Sequence, residues 1–204
     1  MKIDPNDLSD QDNYYLLMGC VVPRPIAWVS TVGANGVVNA APFSCYMVVT
    51  NRPPIISFSV GQRRDGKKDT VKNIEYSGDF VINAVDDELA EAMNLTSADF
   101  PPEVSELEEA KLIPVASELV KSPRISEAPI SLECKVVKLL EMGKGPNAVI
   151  FGEVVRYHLR DGLYSDKSVD PSLLKPLGRL AGDLYCRSHD VFTMKRASLP
   201  SFDS

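Results

Sequence analysis

Few residues in this 204-residue chain have the types and spacings that catalysis by side chains requires. There is no GxSxG, no H-E-x-x-H and no CxxC, so nucleophile-elbow and zinc-peptidase signatures are absent. His158 stands in a strand pattern beside Tyr157 and reads as a structural histidine. His189, within Cys186-Arg187-Ser188-His189-Asp190, reads as part of a turn before a last strand. Asp86, Asp87, Glu88 and Glu91 read as a solvated helix face. If the chain is an enzyme, its reacting atoms therefore belong to a cofactor.

Binding chemistry is easier to find. Arg63-Arg64-Asp65-Gly66-Lys67-Lys68-Asp69-Thr70 follows a strand pattern and Gly61 and precedes a helix pattern. A helix N-terminus offers free N–H groups and a positive dipole end, and Lys68 with the Thr70 hydroxyl adds what a phosphate needs. Read as charge alone, the same run is a solvated basic loop. Asn39-Ala40-Ala41-Pro42-Phe43-Ser44 pairs small residues with a mixed donor and acceptor set. Such a strand suits a flat ring with amide-like edges, or is an ordinary bend between two strands. Trp28, in Arg24-Pro25-Ile26-Ala27-Trp28-Val29-Ser30-Thr31, is the one tryptophan; it suits either an aromatic ligand or the core. On an extended strand Trp28 and Ser30 share one face, and Ala27, Val29 and Thr31 the other.

The elements that must position these residues are mostly strands. β-branched and aromatic runs bounded by turn residues predict strands over 26–32, 37–41, 44–50, 55–60, 80–85, 130–141, 148–159 and 191–195. Asn35-Gly36 is a hairpin turn signal, and residues 143–146 form another turn. Helices are expected over 71–76, capped by Asp69 or Thr70 and ended by Gly78, and over 87–95, capped by Asp86. Ser105 with Glu108 reads as a capping box, and Asp170-Pro171 as the start of a short helix. Strands in succession, without βαβ alternation, predict a mainly β antiparallel sheet or barrel with peripheral helices. The absence of GxGxxG and GxxxxGK[ST] removes the parallel-sheet nucleotide folds.

Charge bounds the partners. The net charge of −6 argues against nucleic acid and anionic membrane. The distribution is uneven: residues 63–72 hold five basic and two acidic residues, whereas 86–110 hold nine acidic and no basic ones. Residues 25–51 carry no charge, yet Gly33, Asn35, Gly36, Asn39, Pro42, Ser44 and Thr50 interrupt them, so a membrane span is not expected. The N-terminus has no apolar signal-peptide core, and Cys20, Cys45, Cys134 and Cys186 lie far apart. They read as free, mostly buried thiols of a cytoplasmic protein with no metal site. With no linker or repeat, residues 1–204 read as a single domain.

Residues 24–31 (RPIAWVST), 39–49 (NAAPFSCYMVV), 53–61 (PPIISFSVG), 63–70 (RRDGKKDT) and 174–185 (LKPLGRLAGDLY), in this order and spacing, resemble the flavin reductase-like family. The resemblance spans about Tyr15 to Lys195. It implies an antiparallel split β-barrel that binds FMN, the fold shared by flavoredoxin and ferric reductases. By that resemblance, Trp28, Val29 and Ser30 flank the flavin, and Asn39, Ala41, Phe43 and Ser44 contact its ring and ribityl chain. Arg63, Lys68, Asp69 and Thr70 hold its phosphate, with Ser59 nearby. It implies a homodimer in which Arg179, Gly182 and Tyr185 reach a site from the partner chain. The implied activity is an NAD(P)H:flavin oxidoreductase that moves hydride from NAD(P)H to FMN N5. The alternatives are an FMN electron carrier working with a redox partner protein, or a non-redox flavin-binding protein.

Overall fold

The computed structural model describes residues 1–61, 63, 66–145 and 147–197. Its centre is one seven-stranded antiparallel sheet built from β1 (Ala27–Val32), β2 (Val38–Phe43), β3 (Tyr46–Asn51), β4 (Pro54–Val60), β5 (Asp79–Asn83), β8 (Ile130–Met142) and β9 (Asn147–Leu159). The strand order is β2-β1-β5-β8-β9-β4-β3. Strands β2 and β3 are thus the two edges, yet only Ser44 and Cys45 separate them in the chain. Two residues cannot span the width of a flat seven-stranded sheet, so the sheet must roll until its edges meet.

Alternation along the strands fills the roll. Ala27 and Val29 point into a core with Phe43, Phe58, Val60, Phe80, Cys134 and Ile150. The rings of Phe58 and Phe80 meet edge-on with centroids 5.2 Å apart, and Phe43 lies 5.5 Å from Phe58. A Cβ on Gly152 would sit 2.4 Å from the Phe80 ring, so this strand position requires glycine. Trp28, on the other face of β1, joins a second core with Leu89, Met93, Leu107 and Ile125.

Helices and short hairpins surround the barrel: α1 (Asp10–Cys20), α2 (Asp69–Ser77), α3 (Ala90–Leu95), α4 (Glu106–Glu109) and α5 (Pro171–Leu174). The hairpins are β6 (Pro114–Val115) with β7 (Arg124–Ile125), β10 (Tyr164–Ser165) with β11 (Ser168–Val169), and β12 (Leu177–Arg179) with β13 (Tyr185–Arg187). Gly78 ends α2 at φ 73°, and Asp86 caps the turn before α3 through Leu89 N, as the sequence predicts. Asp170 likewise caps α5 through Ser172 N.

Several expectations change. Lys68 is the N-cap of α2, and neither Asp69 nor Thr70 caps it, because both side chains are drawn into other contacts. Ser105 starts α4 but makes no side-chain cap, so the capping box does not form. Residues 191–195 are not a strand but an exposed segment, with Val191, Phe192 and Met194 open to solvent instead of packed. Of the four thiols only Cys134 is buried, while Cys20 and Cys45 are exposed. Helix α1 escaped the sequence reading: Tyr14, Tyr15, Leu16 and Leu17 are consecutive, give no one-sided stripe, and remain exposed. Among the described residues no helix is long and apolar enough to cross a membrane.

Candidate functional site

A cleft of about 390 Å³ opens between α1, the start of β1, the end of β2 and the β12–β13 hairpin. Pro42 and Ser44 of the small-residue strand line it, with Tyr14, Tyr15, Arg24, Arg179 and Tyr185. Arg24 is 6% exposed. Its Nε donates to Ser44 Oγ at 3.2 Å, and its other nitrogens donate to the carbonyls of Met18 (2.5 Å), Val21 (2.7 Å) and Leu180 (2.9 Å). The Arg24 and Arg179 backbones bond each other at 2.9 and 2.8 Å, which joins the hairpin to the strand. Arg179 in turn donates to Tyr185 Oη and Gly182 O and lies over the Tyr185 ring, 4.5 Å from its centroid. Gly182 lines this cleft beside Arg179 and Tyr185.

At the other end of β2, a buried polar network begins. Asn39 Nδ2 donates to Glu106 Oε1 at 2.6 Å, and Ala40 N donates to Glu106 Oε2 at 3.1 Å. Thr70 Oγ1 donates to Asn39 Oδ1 at 3.0 Å, and Asn73 Nδ2 donates to Thr31 Oγ1 at 3.1 Å. Burial pushes the Glu106 carboxyl above its usual range; the hydrogen bonds pull it down, but by less, and the charge of Asp69 adds to the rise. The network fixes the strand against α2 and α4. In the sequence Glu106 is one of nine acidic residues in 86–110, and nothing in its spacing marks the burial.

The basic island is sorted by its partners. Arg63 donates to Asp69 Oδ2 (2.7 Å), Asp99 Oδ1 (3.2 Å) and Phe100 O (3.1 Å). Lys67 pairs with Glu75 and Glu141, and Lys72 with Asp69. Lys68 is half-buried and makes no ion pair with any described residue. It stands at the start of nine-residue α2, whose first N–H groups, of Asp69 and Thr70, donate to no described acceptor. Among the described residues of the island, Lys68 is thus the cation with no ion pair, whereas Asp69 holds cations and Thr70 turns inward. Arg64 and Asp65 lie outside the described residues.

The remaining sequence candidates divide. Ala41 and Ser44 are half-buried, and Ser59 is half-buried with its N–H on Cys45 O at 2.9 Å. Phe43 is 8% exposed and packs in the barrel core. Trp28, Val29 and Ser30, which the resemblance sets beside the flavin, have no exposure in this structure. Trp28 Nε1 donates to Thr96 Oγ1 at 2.9 Å, Val29 packs in the barrel, and Ser30 Oγ donates to Pro123 O at 2.6 Å. Both faces of β1 are covered, one by the barrel core that takes Ala27 and Val29 and the other by the second core that takes Trp28.

With this geometry in view, the likeness to known proteins is informative. Residues 18–177 match the flavin reductase like domain, and the chain belongs to that family. A protein of Halalkalibacterium halodurans is 45% identical over 204 residues, covering 98% of each chain. Nitrilotriacetate monooxygenase component B from Bacillus cereus superposes with a TM-score of 0.92 at 37% identity, covering 95% of this chain and 98% of that one. The 2-nitrobenzoate 2-nitroreductase NbaA of Pseudomonas fluorescens gives 0.87 at 36% identity, covering 99% and 98%. A split barrel domain from Shewanella frigidimarina, 19% identical over 97% of this chain and all of that one, shares the fold with a TM-score of 0.84. The barrel deduced from the strand order is therefore the split barrel.

Proposed function

We propose that this chain is an FMN-dependent oxidoreductase that takes hydride from NAD(P)H. The observation that carries this reading is the course of β2. One end, at Asn39, is tied to the helix start that carries Lys68; the other, at Ser44, opens on the 390 Å³ cleft. The residues fit such a group. Lys68 and the first N–H groups of α2 suit a phosphate, small Ala41 and Pro42 let a ring approach the backbone, and Ser44 offers a hydroxyl.

FMN supplies hydride chemistry at N5, which the side chains lack. The chain's part is to bind, orient and polarise. Asn39 and Thr70 hold β2 in register with α2. Ser44 is held by Arg24 Nε, and that cation places positive potential at the cleft, which would favour negative charge on a flavin bound there. The open cleft leaves room for a stacked nicotinamide.

A second copy of the chain fits this reading as well. Met47, Val48 and Val49 on edge strand β3 are 59%, 70% and 42% exposed, and an apolar sheet edge of this kind calls for a cover. Sedimentation equilibrium at micromolar concentration is expected to give twice the chain mass.

The decisive test is one cuvette: a visible spectrum of purified protein with FMN, then anaerobic NADH or NADPH. Bleaching of the flavin band is expected. A flavin that binds but bleaches only with a reduced partner protein makes the chain an electron carrier. A protein that neither colours nor gains thermal stability with FMN removes the flavin reading altogether.

A further inference from the structure

Arg24 and Arg179 form a two-residue antiparallel bridge, and both line the same cleft. Like charges on directly paired residues repel each other. Arg24 is also among the most buried charged side chains of the molecule, at 6% exposure, and makes no ion pair with any described residue. Four carbonyl and hydroxyl oxygens satisfy its N–H groups, but oxygens without net charge do not neutralise it. Arg179 has one carboxylate nearby, Asp183, at 3.8 Å, and that side chain is fully exposed to solvent and screening. Among the described residues no other acidic side chain lines the cleft. A buried, uncompensated cation is costly, and a second cation beside it adds to the cost.

The surrounding wall is aromatic. Tyr14 and Tyr15, at 56% and 61% exposed, present rings from α1, with their centroids 5.8 Å apart. Tyr185 faces them from the hairpin, backed by the Arg179 guanidinium. Met18, Ile26 and Met93 add apolar surface. A guanidinium whose N–H groups are already satisfied still attracts a carboxylate through its charge, and tyrosine rings recognise a flat apolar body.

We propose that this cleft is a binding site for a small aromatic anion, with its carboxylate between Arg24 and Arg179 and its ring against Tyr14, Tyr15 and Tyr185. Because Pro42 and Ser44 belong both to this wall and to the proposed ring-binding strand, the anion lies beside the flavin and is the second substrate. That last clause rests on the flavin reading; the anion site itself does not.

The test uses the whole chain, with and without FMN, and titrates benzoate and its uncharged isostere benzamide by calorimetry. Benzoate is expected to bind at least tenfold tighter than benzamide. Arg179→Gln is expected to weaken benzoate at least tenfold and leave benzamide unchanged, while Arg179→Lys retains most of the preference. Circular dichroism and an unchanged benzamide affinity separate loss of charge from loss of the hairpin. Equal affinity for the two probes, no binding of benzoate, or an Arg179→Gln variant that binds benzoate as the parent does would each overturn the proposal. Competition between benzoate and FMN would overturn the second-substrate assignment, because the cleft would then be the flavin's own. Charge-selective benzoate binding in a protein that takes up no FMN would support the anion site and refute the flavin reading instead.

Discussion

The Asn39 amide donates to Glu106 Oε1 over 2.6 Å, so a carboxylate from the most acidic stretch of the chain is buried against the strand proposed to bind flavin. Burial raises the Glu106 carboxyl, which fixes the sign of its pH effect. The unfolded chain ionises at its ordinary value, the folded chain at a higher one. The stabilising contribution is therefore complete below the unfolded pKa and is lost as pH rises through the folded one. Against Glu106→Gln, the parent is expected to lose stability as pH rises above the ordinary carboxyl range of about 4. Urea melts of both proteins from that range upward check it; a difference that grows with pH in the parent's favour would refute the sign.

Glu133 behaves in the opposite way. It has no exposure and accepts from Glu118 N (2.8 Å) and Leu119 N (2.7 Å), with His158 Nε2 at 2.6 Å. Burial pushes its carboxyl up, but the two N–H groups and His158 more than reverse this, so it lies below the usual range. Its stabilisation is present above the unfolded pKa and is lost as pH falls through the folded one. Glu133→Gln is expected to cost roughly 2 kcal/mol at pH 7, and less in acid. Chemical denaturation at pH 7 and pH 3.5 measures both.

Lys68 is the described cation of its loop without an ion-pair partner, and it stands where a phosphate is proposed. Lys68→Ala is expected to weaken FMN about tenfold, the value of one charged hydrogen bond, and riboflavin hardly at all. Flavin fluorescence titration gives both constants. Equal losses would remove Lys68 from the phosphate site.

Trp28 is a core residue whose indole N–H is satisfied by Thr96. Thr96→Val leaves that donor without a partner and is expected to cost about 1–3 kcal/mol of stability. The same variant is expected to leave the FMN dissociation constant within twofold. A large change in FMN affinity at unchanged stability would return Trp28 to the flavin's surroundings.

The thiols are expected to sort by place. Cys20 and Cys45 are exposed; Cys134 has no exposure, and burial pushes its thiol far up. Iodoacetamide is expected to label Cys20 and Cys45 in the native protein, and Cys134 only after unfolding. Because Cys45 follows Ser44, FMN is expected to slow labelling at Cys45 and not at Cys20. Peptide mass mapping with and without FMN reads both.

Local rules made much of this protein legible in its sequence. Alternation along β1 assigned Ala27 and Val29 to one face and Trp28 to the other, and both assignments hold in the two cores. Gly78, Asp86 and Asp170-Pro171 marked element ends because capping depends on a few adjacent residues. The ordered motifs pointed to the family that the domain match shows. Tertiary structure decided which charges are spent and which remain. Thr70 turns inward to Asn39, Arg63 is consumed by Asp69 and Asp99, and Glu106 leaves an acidic run to become a buried acceptor. The Arg24–Arg179 bridge joins residues more than 150 positions apart. Composition and spacing report the charge a residue carries, but the field it feels depends on partners brought near by folding, and those distances do not exist until the sheet has rolled.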